Sequence, residues 1–227
     1  PEKLIPLLDE AGIDWAAVMT YVDLPGSNPA ALEYIADAVR RYPERLIGFA
    51  RLNPNFRDQA IAALEHAVST LGFRGVKLHP TTTLAHPAGD ATVKLMRRCG
   101  QLGVPVLFHC GDDPYTTPQA IEVGARQAPG ATVVLGHMGG YFHVDDAIAA
   151  AERCPNLYLE TSAMPYPHKI AEAVDRLGPD RVLFGSDGPG CNPALEVQKV
   201  RMLGLAPDAE RLVLGGSAAK LLRLGPD

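Results

Sequence analysis

The chain is poor in the features that staple, anchor or export small proteins. Its four cysteines, Cys99, Cys110, Cys154 and Cys191, are scattered and form no CxxC pair. That spacing speaks against a zinc knuckle and for reduced thiols rather than a disulfide frame. No stretch of 18 apolar residues occurs, and the N-terminus lacks the basic-then-apolar pattern of an export signal. A membrane partner is therefore not expected, and a cytoplasmic location is. Runs of Lys and Arg are absent too: 21 basic residues stand against 26 acidic ones, for a net charge of −5. This balance disfavours nucleic acid and anionic membrane surfaces, leaving a small molecule as the expected partner.

What is present is the composition of an ordinary globular protein: 227 residues, 47% hydrophobic and 21% charged. That length buries a sizeable core without metal or disulfide support. No linker, low-complexity tract or shift in composition interrupts residues 1–227, so one domain is expected.

Short apolar runs alternate with longer segments of helical period. The strand candidates are 15–20 (WAAVMT), 46–52 (LIGFARL), 75–79 (GVKLH), 105–110 (PVLFHC), 132–138 (TVVLGHM), 157–162 (LYLETS) and 181–187 (RVLFGSD). Their starts lie 24 to 31 residues apart, about one strand–helix unit. Between them run amphipathic stripes: Leu32, Ile35, Ala36 and Val39; Ile61, Leu64, Val68 and Leu71; Ile170, Ala173, Val174 and Leu177. Strands that are apolar nearly throughout, in strict alternation with helices, imply a parallel sheet covered on both faces. The turn after the first run, YVDLPGSNP, carries no glycine-rich phosphate motif, which speaks against a doubly wound nucleotide-binding sheet. The repeat length suits a (β/α)8 TIM barrel instead.

The strand count falls one short. Seven strands are found, and the chain opens in a helix (1–12) with Leu4, Leu7, Leu8 and Ala11 on one face. The expectation is a barrel whose first strand is missing from the given chain, or an open barrel. An open edge would invite pairing with another copy, so a homo-oligomer is entertained.

Barrel chemistry gathers at the C-terminal strand ends. Those ends carry Arg51 and Asn53, Lys77 and His79, His109, His137, then Glu160, Thr161 and Ser162, and finally Asp187. Side-chain alternation puts Lys77 and His79 on one face of their strand, but leaves open whether Glu160 or Thr161 points inward. Three successive strands ending in histidine and a later one ending in aspartate suit a metal-activated water. Imidazole and carboxylate bind Zn²⁺ or Mn²⁺, and the cation makes hydroxide available at neutral pH. Asp187 can also be read as a plain Ser-Asp-Gly turn, His109 as a core histidine, and His137 as part of a tight glycine turn. Gly139, Gly140, Gly185 and Ser186 are expected to leave room for substrate. His86, His143 and His168 are read as surface residues, His66 as structural, and Tyr115 as a pocket wall.

In this order and spacing, GVKLHP, VLFHCG, VLGHMGG, LYLETS and VLFGSDGP resemble the amidohydrolase superfamily, in its amidohydrolase-2 branch, which also holds aromatic-acid decarboxylases. The tail 205–224 is similar to that branch's terminal helices, with Ser217 where Asn is usual. The resemblance implies one divalent metal, zinc first and manganese second. It makes His109 a metal ligand, His137 a ligand or an orienter of water and substrate, and Asp187 a ligand and general base. The His-x-His pair that the family carries on its first strand occurs nowhere in this sequence; it is expected upstream of Pro1. Lys77, His79 and Arg51 are candidate substrate contacts; Lys77 can equally be read as an ion-pairing residue, and Arg51 as either a bidentate carboxylate clamp or a solvated loop arginine. The implied activity is hydrolysis of an ester, lactone or amide. The alternatives are a non-oxidative decarboxylase on the same site and an inactive, metal-free barrel acting as a binding protein.

Overall fold

The computed structural model describes residues 1–21 and 29–224. Seven strands form one parallel sheet in sequential order: β1 (Ala16–Val18), β2 (Leu46–Arg51), β3 (Gly75–Leu78), β4 (Val106–His109), β5 (Val133–Gly136), β6 (Leu157–Glu160) and β7 (Val182–Leu183). The helices are α1 (Leu4–Ala11), α2 (Pro29–Arg41), α3 (Asp58–Ser69), α4 (Pro80–Thr83), α5 (Asp90–Leu102), α6 (Pro118–Gln127), α7 (Val144–Arg153), α8 (Pro167–Leu177), α9 (Pro193–Arg201), α10 (Pro207–Arg211) and α11 (Ser217–Leu222). Among the described residues β1 and β7 each have one sheet neighbour. The sheet nevertheless curls until α1, ahead of β1, lies beside α9, behind β7. This is a curled TIM-type half-barrel.

The apolar stripes face the sheet, as helical periodicity requires. Leu32, Ile35 and Ala36 of α2 and Ile170, Ala173 and Val174 of α8 are buried. Outward-facing strand residues such as Val76, Val106, Phe108, Val133 and Leu135 join them in one continuous core. Truncating a fully buried ring there, as in Phe108→Ala, costs about 3–5 kcal/mol. Inward-facing Ile47, Phe49 and partly buried Leu107 form a separate cluster with Leu222 of α11. Gly75 is needed beside them, because a Cβ there would sit 2.3 Å from the Phe49 ring.

All seven strands are shorter than their apolar runs suggest, β1, β5 and β7 by the most, and the ends of β5 and β7 have a local cause. Only Ala16–Val18 of the 15–20 run pairs with β2. The 181–187 run contributes only Val182 and Leu183, since Arg181 belongs to a short 3-10 turn whose guanidinium donates to the carbonyls of Ala151, Cys154 and Leu157. Phe184 then leaves the sheet, its N–H bonding the Val213 carbonyl at 2.9 Å. Strand β5 stops at Gly136 because His137 and Met138 adopt left-handed backbone, with φ of 61° and 48°. The turn after β1 falls almost wholly on residues 22–28, outside the described residues. Ser217 is buried and donates its hydroxyl to the Pro179 carbonyl at 3.0 Å, tying α11 to the approach of β7.

Candidate active site

Register sets the site. Arg51 on β2 pairs with Lys77 on β3, and Lys77 with Leu107 on β4. His109 ends β4 opposite Gly136, the last residue of β5. Residues at the C-terminal ends of adjacent strands are thereby brought side by side at one mouth. The imidazoles of His79 and His109 stack with centroids 4.0 Å apart and planes 7° from parallel. His137 meets His109 edge-on, at 4.8 Å and 65°. Three histidines far apart in sequence thus form one cluster.

Their environment is short of water and rich in positive charge. Burial first, then His137, His79, Lys77 and Arg51, pushes the His109 pKa down to about 2, so its imidazole is neutral. Lys77 is only 8% exposed. Burial lowers its pKa to about 8; Glu160 opposes that shift, Arg51 adds to it, and Asp187 again opposes it. The Arg51 guanidinium donates to the Thr20 carbonyl at 3.2 Å.

Glu160 settles the phase of its strand. It points inward and is 9% exposed, whereas Thr161 is fully buried on the other side, its hydroxyl accepting from the Gly185 N–H at 3.4 Å. One Glu160 oxygen accepts from Ser162 N at 2.7 Å; the other accepts from Ser162 Oγ at 2.9 Å and His137 N at 3.3 Å. His137 Nδ1 lies 3.1 Å from the Ser162 carbonyl and 3.0 Å from Ser162 Oγ. From α9, Lys199 donates to the Thr161 carbonyl and Glu196 accepts from Ala163 N, at 3.0 and 3.1 Å.

The small residues do something other than expected. A Cβ at Gly185 would lie 1.7 Å from Glu160 Oε1, and one at Gly140 would lie 2.8 Å from Asp112 Oδ2. Gly139 is hemmed in by Val144 N, 3.1 Å from a would-be Cβ. These glycines therefore admit neighbouring protein groups, not substrate. Asp112, which no sequence signal marks, accepts from the N–H groups of Tyr141 and Phe142 at 3.1 and 3.0 Å. It clips the loop after β5 to the loop after β4.

Asp187 is the residue the structure sets apart. It is exposed, on the turn after β7, with a left-handed φ of 49°. Among the described residues no group of three or more His, Cys, Asp or Glu side chains is set to hold a metal ion. The donor chemistry of the imidazole cluster still fits a divalent cation, because neutral imidazole is the ligating form. The charge of Asp187 already acts on buried Lys77 at the mouth, and with His109 and His137 it would make up a three-donor set.

The remaining candidates lie further out. Tyr115, 41% exposed, meets the exposed His86 edge-on at 5.9 Å on the rim. His168 and His66 are also exposed, and half-buried His143 pairs with Asp146 at 3.1 Å. Asn53 caps the short turn Pro54–Phe56 by accepting from Asn55 N. All four cysteines are free, and no described helix is long and apolar enough to cross a membrane.

Among solved structures, an uncharacterized TIM-barrel protein from Bordetella bronchiseptica is similar at 26% identity and a TM-score of 0.83, covering 98% of this chain and 82% of that one. A 5-carboxyvanillate decarboxylase from Sphingomonas paucimobilis shares the fold at 17% identity and 0.79, over 98% and 83%. So does a dihydroxybenzoic acid decarboxylase from Polaromonas with bound manganese and the inhibitor 2-nitroresorcinol, at 19% and 0.76, over 100% and 86%. No curated protein matches. The sequence matches the Amidohydrolase family (Amidohydro_2) over residues 8–224, and with the half-barrel and its ordered strand-end histidines, the chain belongs to the amidohydrolase family.

Proposed function

We propose that the protein is a metal-dependent hydrolase that cleaves an ester, lactone or amide of a small carboxylated molecule. The observation that carries this reading is the cluster of His79, His109 and His137 beside the paired cations Lys77 and Arg51. His109 and Asp187 would hold one divalent cation with His137, zinc first and manganese second. When bound, such a cation supplies Lewis acidity, lowering the pKa of water and polarising a carbonyl.

The chain's own groups have separate tasks. Lys77 and Arg51 attract and orient the substrate carboxylate, each as a donor beside the other. His79, stacked on His109, walls the same side of the pocket. His137 would present a ring lone pair to that cation, whose positive charge would answer the negative charge developing on the carbonyl oxygen, the kind of interaction that often contributes most to catalysis. Asp187, on its exposed turn, takes a proton from the attacking water and returns it to the leaving group. A small molecule is the partner this chemistry calls for. The acidic balance of the chain gives nucleic acid or a membrane nothing to hold.

A second reading, non-oxidative decarboxylation, is favoured by the same cation pair and by the decarboxylases that share the fold. One experiment separates the readings. Protein reconstituted with zinc or manganese is given lactones, esters and hydroxybenzoates, and release of acid and of CO₂ is followed. Metal-dependent acid release that disappears in His109→Ala and Asp187→Asn supports the hydrolase. CO₂ release supports the second reading. A protein that retains no metal and turns over neither class is a binding barrel.

A further inference from the structure

We infer that Glu160 and Ser162 are positioning residues that fix the tautomer of His137, so that its Nε2 lone pair faces the mouth. The inference deepens the hydrolase reading, which assigns His137 its role, but the hydrogen-bond logic stands on the chain alone.

A backbone carbonyl has no proton to give. The Ser162 carbonyl, 3.1 Å from His137 Nδ1, is therefore satisfied only if Nδ1 carries the hydrogen. The hydroxyl argues the same way. Ser162 Oγ donates its one hydrogen to Glu160 Oε2 at 2.9 Å. It then presents lone pairs to Nδ1 at 3.0 Å, again asking for N–H. The order of donation runs from His137 to Ser162 to Glu160, and neutral His137 is left with its acceptor on Nε2.

The surroundings hold this arrangement against backbone strain. His137, Met138 and Ala163 all have left-handed φ, of 61°, 48° and 53°, a conformation that disfavours side chains with a Cβ. Glu160 fastens one end by accepting from His137 N. Helix α9 fastens the other, with Lys199 on the Thr161 carbonyl and Glu196 on Ala163 N, the two peptides that flank Ser162. Gly185 leaves the space that Glu160 occupies. Strained positions that are held so completely are typical of sites where orientation matters.

The test begins with unmutated full-length protein, metal-free and labelled with ¹⁵N in histidine. Two-bond proton–nitrogen spectra report which ring nitrogen bears the hydrogen. The expected result is His137 with protonated Nδ1 and an unprotonated Nε2. An Nε2–H tautomer overturns the inference whatever the protein catalyses. Glu160→Gln is the second arm. Its amide nitrogen is best placed at the Oε2 position, where the rotatable Ser162 hydroxyl can turn to accept. That hydroxyl hydrogen then competes for Nδ1, and the Nδ1–H population falls. Metal affinity or kcat should fall about 10- to 100-fold, as for other groups that orient ligating histidines, with KM changed far less. An unchanged tautomer in a folded Glu160→Gln protein overturns the role of Glu160. Absence of any hydrolase activity would sink the proposed function and leave the wild-type spectrum to decide the positioning claim.

Discussion

The imidazole of His79 lies flat against that of His109, 4.0 Å away between centroids. Two imidazolium ions cannot share that spacing without strong repulsion, and burial keeps the His109 ring neutral. His109 is depressed to about 2 in the folded protein, while an unfolded histidine titrates near 6.5. Between those values the unfolded chain binds more protons, so stability must fall as pH drops below about 6.5. In metal-free protein, His109→Asn should flatten this acid limb of the denaturation midpoint. A variant as acid-sensitive as the parent would refute the assignment.

Lys77 gives a dependence at the other end of the scale. Its folded pKa of about 8 lies below the unfolded value of 10.5, so burying the ammonium opposes folding at neutral pH. The size is roughly 3 kcal/mol, from about 1.4 kcal/mol per unit. The penalty is fully present below about pH 8 and fades as pH rises towards 10.5. Lys77→Met should therefore stabilise the fold in urea titrations at pH 7 and lose most of that gain by pH 10.5. It should also weaken binding of carboxylated substrates.

Gly185→Ala tests the space beside Glu160. The new methyl would lie 1.7 Å from Oε1, so the carboxylate must leave or β7 must shift. Overpacking of this kind costs about 1–3 kcal/mol. The thermal midpoint should fall, and the His137 ring resonances should move with it.

Asp112→Ala removes the acceptor for two backbone N–H groups, those of Tyr141 and Phe142. Each hydrogen bond to a charged group is worth about 1.5–3 kcal/mol. Amide exchange at 141 and 142 should accelerate by at least about tenfold, while the exchange of β4 stays as it was.

Much of this architecture was legible in the residues. A helical stripe such as Leu32, Ile35, Ala36 and Val39 is a local pattern, and the strand-end histidines follow from where apolar runs stop. The direction of Glu160 was not legible, because the run LYLETS allows either Glu160 or Thr161 to face inward; only the contact with Ser162 and His137 decides it. The glycines were misread for a related reason. A missing side chain signals space but not its occupant, and here the occupants are the carboxylates of Glu160 and Asp112, brought near by strand pairing. The exposed, left-handed turn at Asp187 was open to the Ser-Asp-Gly reading of the sequence, but residue types alone did not decide between a turn and a ligand. Asp112 acts through main-chain N–H groups, which every residue but proline possesses, so its partners leave no mark in the sequence.

The distribution of thiols has a practical consequence. Cys99, Cys110 and Cys154 are buried, and burial raises the pKa of each, that of Cys99 to about 12. Burial raises the pKa of Cys191 as well, but it alone is partly accessible, and its N–H bonds the Asp187 carbonyl at 3.2 Å. A maleimide or fluorophore would thus attach at one place, on the turn that carries the carboxylate, and an inward swing of that turn would register as a change in labelling rate or emission without any engineered handle.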